Sequence, residues 1–348
     1  LFISTFDAIT EKEVITMQQE FKALVVRQVD DTNYTKNIET RTFDNLPDGE
    51  VLIRVHYSSL NYKDALSCNG NRGVTRHYPH TPGIDAAGIV EHSSSSDFSP
   101  GDRVVVISYD LGQNTSGGFG QFIRVPSSWV MPLAKGMSLY ESMIYGTAGF
   151  TAGLAVEKLQ NQGVFPESGS IIVTGATGGV GSISIAILSR LGYSIIASSG
   201  KKDASVFLKN LGASKVIDRD ILSKKSGFNL LKEEWIGAID SIGGNTLSTL
   251  LKSCKQNGAV VSIGLVESSD LNITVFPFIL RGVSLLGLSA SETSMKDRKK
   301  IWEKLSNEWK PENIDDLVTV CNLEGLSREI DRINTGDKIG KVVVDMIN

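Results

Sequence analysis

Cysteine is scarce in these 348 residues: Cys68, Cys254 and Cys321 are odd in number and far apart. That excludes a disulfide framework and a CxxC redox motif, and it fits a reducing, cytoplasmic setting. Histidine is almost as rare, with His56, His77, His80 and His92 showing none of the usual zinc spacings together with the cysteines. No apolar run approaches the roughly 18 residues of a membrane span. A strong charge of one sign is missing too: 35 basic against 39 acidic residues, a net charge of -4, argues against wrapping nucleic acid or docking on an anionic membrane. Residues 1–20 have a short apolar start, no basic n-region, and four acids against Lys12, unlike a signal or transit peptide. The patterned sequence begins only at Phe21. This predicts residues 1–20 as an N-terminal extension, with Met17 the natural start and residues 1–16 translated ahead of it, which N-terminal mass analysis of the native protein would check.

Glycine, by contrast, is plentiful, 34 of 348 residues against a usual share of about 7%. Apolar (41%) and charged (21%) fractions are those of a globular chain, and the length exceeds one ordinary core of about 100–200 residues, so two domains are expected. From Phe21 to about Val125 the pattern is strand-like: FKALVV, EVLIRVHYSSL, AAGIVEHS, DRVVVIS and FGQFIRV stand between Gly, Pro, Asp and Ser clusters. ESMIYGTAGFTAGLAVEKLQ then has helical spacing. Beyond it strands and helices alternate: SIIVTG, the helix VGSISIAILSRLG, YSIIASSG, a helix through DASVFLKNLG, KVID, WIGAIDSIG, the helix TLSTLLKSCKQNG, GAVVSIG and GVSLLGLS. This rhythm predicts an α/β fold with a doubly wound parallel sheet. Helices KDRKKIWEKLSNEW and LSREIDRIN and a last strand GKVVVDMI are expected to return to the first domain.

The strand SIIVTG runs into Ala176-Thr177-Gly178-Gly179-Val180-Gly181 and directly into a helix. Small residues let the backbone approach a pyrophosphate, whose charge is met by free amides and the helix dipole. Strand, turn and helix stand in the required order, and a second strand ends 17–19 residues later, which makes the signal specific; the alternative is a tight turn without a ligand. That second strand ends in Ser198-Ser199-Gly200-Lys201-Lys202. An NAD site places Asp or Glu there for the ribose 2′-hydroxyl, and an NADP site needs small donors and a cation. NADPH is therefore favoured over NADH, with Ser199, Gly200 and Lys201 at the 2′-phosphate; otherwise Lys201 and Lys202 are a solvated pair. Lys215 is either a further phosphate partner or surface charge. The turn also satisfies the TGxxxGxG pattern of short-chain dehydrogenases, but no Tyr precedes a Lys by four residues and the turn begins at position 174, so that reading is rejected.

An N-terminal β domain, a nucleotide domain entered by GTAGFTA (146–152) and a returning C-terminal strand together resemble the medium-chain dehydrogenase/reductase superfamily. More narrowly, SSLNYKDAL (58–66), PGIDAAG (82–88), GTAGFTA, VTGATGGVG and FPFILRGVSLLG (276–287) are similar to the acrylyl-coenzyme A reductase group of AcuI/YhdH type, a branch near the quinone oxidoreductases. The resemblance covers the chain from Phe21. It implies a GroES-like catalytic domain (21–145 and 291–348) and a Rossmann NADPH-binding domain (146–290). Zinc-dependent relatives carry Cys where this chain has Asn61, His-Glu where it has Ile84-Asp85, and a four-Cys lobe in a region, about 91–125, that holds no Cys here. No metal is therefore expected, and without a Lewis acid the fold suits reduction of an activated C=C bond.

The resemblance thus implies NADPH-dependent reduction of acrylyl-CoA or a related short 2-enoyl thioester. The alternatives are a quinone or alkenal/enone reductase with the same cofactor and, in another class, a non-catalytic NADPH-binding protein, whose mark would be a damaged turn. Tyr62 is the first candidate for meeting the nicotinamide end or donating to substrate; otherwise it is a packed, half-buried tyrosine. Asn61 offers an amide donor or merely a turn residue, and Asp64 reads more readily as a brace of the NYKD loop than as an acid. The resemblance carries further cofactor contacts to Leu265, Ile279, Ser289 and Asn334, each with a bland alternative as core or helix end. Arg72, Arg76 and His77 either meet coenzyme A phosphates or form a solvated rim, and Lys338 and Lys341 stay equally open. The partners implied are small molecules and a second copy of the chain, a homodimer with a tetramer as the alternative, paired through strands such as GVSLLGLS; nucleic acid and membrane are not expected.

Overall fold

The computed structural model describes residues 20–348; the expectations for Met17 and residues 1–16 lie outside them. Two sheets organise the chain. The first holds β3 (Val51–Leu60), β4 (Asp85–Ser93), β5 (Arg103–Ile107), β6 (Phe122–Val125) and β7 (Met131–Pro132), and it recruits β14 (Val318–Asn322) and β15 (Lys341–Asp345) from the far end of the sequence. β15 lies antiparallel to β3, with Val342 opposite Leu60. A separate hairpin, β1 (Glu20–Gln28) with β2 (Tyr34–Thr42), packs Leu24 and Val26 into the core of this sheet.

The second sheet is fully parallel. Its strands are β8 (Ile171–Val173), β9 (Ile195–Ser199), β10 (Lys215–Asp218), β11 (Trp235–Asp240), β12 (Cys254–Ser262) and β13 (Ser284–Gly287), in the order β10-β9-β8-β11-β12-β13. That is the doubly wound order whose ligand crevice opens at the carboxyl ends of the strands. Central strands such as Ile171–Val173 are buried throughout, because helices cover both faces of a parallel sheet. The helix expected over 246–258 is shorter than its apolar pattern: it ends at Lys252 and the chain is already strand at Cys254. Cys254 is buried and pairs with Trp235, so strand pairing overrides helical propensity there.

One long helix, Leu139–Asn161, joins the units. It is apolar on all sides and buried along most of its length, as a helix packed between layers must be. The same core holds Ala87, Val105 and Ile107 from the first sheet and Ile171, Val173 and Ile239 from the second. The helix breaks at Gly146 (φ 48°, ψ −154°). Buried Arg298 also spans the joint, its guanidinium 4.2 Å from the Tyr109 ring centre and 5.2 Å from that of Phe150 while it donates to the carbonyls of Ile107 and Ala290.

Candidate active site

The NYKD loop is built around α1 (Tyr62–Cys68), whose N-cap is Asn61. Asp64 accepts the Asn61 backbone N–H at 2.8 Å with one oxygen and the N–H groups of Gly83 (3.2 Å) and Ile84 (2.9 Å) with the other. It is the brace that the sequence suggested, tying the helix start to the loop before β4. Asn61 is equally committed. Its Nδ2 donates to the Asp85 carboxylate (2.8 Å) and the Ser59 carbonyl (3.0 Å), and its Oδ1 accepts from Lys341 Nζ (2.9 Å). With both ends of its amide engaged, Asn61 has no free donor for substrate; the expectation that it could donate is corrected on that ground. Tyr62 is 54% exposed, and its hydroxyl has no hydrogen bond among the described residues.

Asp85 and Lys341 extend this into a buried polar chain that the sequence did not reveal. Asp85 receives the backbone N–H of Thr147 at 3.0 Å on both oxygens and the Thr147 hydroxyl at 2.6 Å. It thereby caps the helix segment that restarts after Gly146, where a carboxylate is favoured by the exposed amides and dipole. The Thr147 hydroxyl lies 3.0 Å from that of Ser108. Burial lowers the Lys341 ammonium from the usual lysine range while Asp85 and Asp64 pull it up. Burial, then the Asp85 charge, pushes Asp64 up to about 7. The unfolded carboxyl titrates near 4, so between about pH 4 and 7 the folded chain holds the extra proton, and unfolding free energy falls as pH rises through that window. Burial lowers His56 and His80 over the same interval and acts in the opposite sense in both proteins, so the test is the difference between wild type and Asp64→Asn in urea melts: it is expected to fall from about pH 5 to about 7.5, and a difference that stays flat or rises would contradict the assignment.

The metal ligands of zinc-dependent relatives do not fit here. Asn61 offers a neutral amide already bonded, Ile84 a hydrocarbon, and Lys341 brings a cation to within 2.9 Å of Asn61 Oδ1, which opposes a metal ion at the same place. Among the described residues no three His, Cys, Asp or Glu side chains gather into a metal-holding group.

The dinucleotide turn lies at the carboxyl end of β8, followed by the helix Gly179–Arg190. Gly175 is left-handed (φ 56°), and a Cβ on Gly181 would stand 2.4 Å from the Gly175 carbonyl oxygen, so a side chain at 181 would break the turn. The first helical turn carries no acidic residue and leaves its amides without intrahelical partners. Thr177 is buried and its carbonyl accepts the Gly340 N–H (2.9 Å); Gly178, Gly179 and Val180 are more open. At the neighbouring strand tip Ser199 Oγ accepts the Lys201 N–H at 3.1 Å, and Lys201 Nζ donates to the Lys338 carbonyl.

Beside Lys201 the structure brings a second cation to this tip, Arg219 rather than Lys215. Lys215 opens β10 opposite Ile196, three residues before the Asp218–Ser199 pair, about 10 Å away at strand rise. Arg219 follows Asp218, its N–H on the Ser199 carbonyl (3.3 Å) and its guanidinium over Gly200, where a Cβ would meet Nε at 2.5 Å. Its contact with Asp220 is long, 3.9 Å, and exposed on both sides. The rule that ligands sit at parallel-strand ends makes Arg219 a candidate once β10 is placed.

Leu265 and Ser289 follow the carboxyl ends of β12 and β13 and are exposed. Ile279, 69% exposed, stands apart on the helix Phe276–Arg281, two residues before Arg281, which bonds the Lys252 and Cys254 carbonyls at the amino end of β12. Asn334 ends the helix Leu326–Asn334, exposed, ahead of the segment that reaches Thr177. Lys338 is buried against Glu329 (3.4 Å) and the Thr319 hydroxyl (2.6 Å), a structural pairing. Arg72 is occupied as well: it donates to the Arg76 carbonyl and to Gln28 (2.7 Å) and lies over Tyr78. Arg76 and His77 remain exposed.

A β-rich unit bearing the NYKD loop and a doubly wound sheet bearing an anion-ready glycine turn define a dinucleotide-dependent oxidoreductase. Residues 47–135 match the family described as alcohol dehydrogenase GroES-like domain, and residues 179–307 that described as zinc-binding dehydrogenase. The acrylyl-CoA reductase AcuI of Ruegeria pomeroyi is 38% identical over 94% of this chain and 99% of its own. The putative quinone oxidoreductase YhfP of Bacillus subtilis is 42% identical over 88% and 92%, and its structure with NAD bound superposes with a TM-score of 0.91. The yhdH oxidoreductase from Salmonella enterica, solved in complex with NADP, gives a TM-score of 0.90 at 37% identity, covering 93% of this chain and 99% of that one. The chain belongs to the medium-chain dehydrogenase/reductase superfamily and, within it, to the AcuI/YhdH-type group. Among the described residues no helix is long and apolar enough to cross a membrane.

Proposed function

We propose that this protein reduces the C=C bond of acrylyl-CoA, or of a closely related short 2-enoyl-CoA, with NADPH. The observation that carries the reading is the residue set at the two ends of the crevice: Lys201 and Arg219 without a carboxylate at Gly200, and an exposed Tyr62 above an amide and carboxylate network in place of metal ligands. NADPH, when bound, supplies the hydride for the β-carbon. The amides of Gly179 and Val180 would hold its pyrophosphate, the Gly178 N–H being spent on the Gly175 carbonyl (2.9 Å), and Lys201, Arg219 and Ser199 its 2′-phosphate. Negative charge then grows on the thioester oxygen, where a positioned donor is worth most; the Tyr62 hydroxyl is free to supply it until the α-carbon takes a proton from solvent, which completes the saturated thioester. Leu265, Ser289 and Asn334 belong to the same proposed cofactor surface. The 42% identity to YhfP supports a second reading, a quinone or enone reductase with the same hydride donor.

An acceptor panel tests both. NADPH oxidation followed with acrylyl-CoA, benzoquinone and acrolein is expected to give the largest kcat/KM with the thioester, and a faster quinone would transfer the assignment to the second reading. Tyr62→Phe is expected to lower kcat about tenfold or more with NADPH affinity retained, the pattern of a donor that acts in the transition state; an unchanged kcat would remove Tyr62 from the chemistry.

A further inference from the structure

Lys341 is fully buried among the most apolar strands of the chain. A cation there is costly, and a hydrophobic residue would serve stability as well. Its contacts point elsewhere. Nζ donates to Asn61 Oδ1 (2.9 Å) and, more weakly, to the Leu60 carbonyl (3.3 Å), the two residues that lead into Tyr62. Its aliphatic stem lies along the dinucleotide turn, with Cδ 3.1 Å from the place of a Cβ on Gly179. The preceding residue, Gly340, donates to Thr177 in the same turn. Lys341 therefore touches both the loop that carries Tyr62 and the turn proposed for the cofactor.

The arrangement is locked from the other side. Asn61 passes the contact on to Asp85, and Asp85 holds the restart of the long helix at Thr147. Ala148, one residue later, also packs on Gly179, 3.3 Å from the same Cβ position. Ser59 Oγ, buried at this joint, has no partner among the described residues. Catalytic loop, long helix and glycine turn thus meet around one ammonium group.

We infer that Lys341 is a positioning residue for hydride transfer, a buried strut that sets the distance between the catalytic loop and the dinucleotide turn. The inference rests on the proposed NADPH-dependent reduction but not on the identity of the acceptor. Reacting atoms must approach to about 3–3.5 Å, and displacement by about 1 Å costs on the order of 100-fold in rate. A strut of this kind acts on kcat, leaving the phosphate contacts that hold the cofactor intact.

Lys341→Met and Lys341→Arg test it, each assayed with acrylyl-CoA and with benzoquinone, alongside NADPH binding by fluorescence and thermal melts of the cofactor-free protein. The Met variant is expected to lose about 100-fold in kcat with every acceptor the parent uses, while its NADPH affinity stays within about threefold. With NADPH deuterated at C4 its kinetic isotope effect is expected to exceed the parent's, because hydride transfer becomes the slow step. A role confined to stability would instead lower the melting temperature and the active fraction, with the isotope effect unchanged. A Met variant within about threefold of the parent in kcat, or one slowed with an unchanged isotope effect, overturns the inference. Should the Met variant not fold, Lys341→Arg decides on the same readouts: it keeps the charge on a longer, forked end and is expected to lower kcat and raise the isotope effect. A parent active only with benzoquinone would refute the acyl-CoA assignment and leave the Lys341 test intact. A parent that oxidises NADPH with neither acceptor refutes both.

Discussion

Gly146→Ala is expected to remove most of the folded enzyme. Gly146 has φ 48° and ψ −154°, a backbone region almost closed to residues with a Cβ, and strain there costs about 1–3 kcal/mol. The new methyl would also stand 2.3 Å from Asp85 Oδ2 and 2.7 Å from Ser59 Oγ. Asp85 cannot retreat, because it is buried and holds Asn61 on one side and Thr147 on the other. Breaking such a buried network costs about 3–5 kcal/mol, so the combined loss of about 4–8 kcal/mol rivals the whole stability of an ordinary domain. Urea denaturation of purified variant and parent would measure it. A variant within about 1 kcal/mol of the parent, the ordinary size of a point-mutation effect, would mean that the helix restarts elsewhere without penalty. Gly101→Ala is a suitable control: its φ is also positive, 94°, but nothing lies within 4 Å of the added Cβ, so the difference between the two variants isolates the clash with Asp85.

The contrast between local and distant signals explains what the sequence could disclose. The parallel sheet was legible because strands buried on both faces read as unbroken apolar runs, as in SIIVTG and WIGAID. The glycine turn was legible because its strand, turn and helix are contiguous. β2, YTKNIETRT, was missed: it is polar and largely exposed on both faces, so it shows no period of two. The helix Phe276–Arg281, six residues long, is too short to show a period of 3.6. At the site, Asp64 disclosed its brace role because its partner Asn61 is three residues away. Lys341 lies 280 positions from Asn61, and Asp85 lies 62 from Thr147. No local pattern links such pairs, and only the pairing of β15 with β3 brings the first together. Arg219 escaped notice for a smaller reason, since its role depends on where β10 ends.

That last residue carries the second large effect. Gly200→Asp is expected to reverse the choice of nucleotide. Gly200 stands at the carboxyl end of β9 beside Arg219 and Lys201, and its backbone is not left-handed, so a side chain is sterically admissible there. The new Cβ would meet Arg219 Nε at 2.5 Å, but that group is the end of a long, exposed side chain and can swing aside. An aspartate would then pair with the two cations and present its free oxygen to a ribose hydroxyl, the arrangement that selects NADH. A 2′-phosphate would lose two charge-assisted contacts, each worth about 1.5–3 kcal/mol, and would face a like charge. NADPH affinity is expected to fall about 100- to 10,000-fold, with NADH affinity held or improved. Fluorescence titration with both nucleotides measures the ratio. Added salt provides an internal check, because screening acts on the phosphate contacts and little on a hydroxyl: NADPH binding by the parent should weaken with salt more steeply than NADH binding by the variant. An unchanged NADPH:NADH ratio would mean that the 2′-phosphate is held away from Gly200, and both Lys201 and Arg219 would then lose the role given to them.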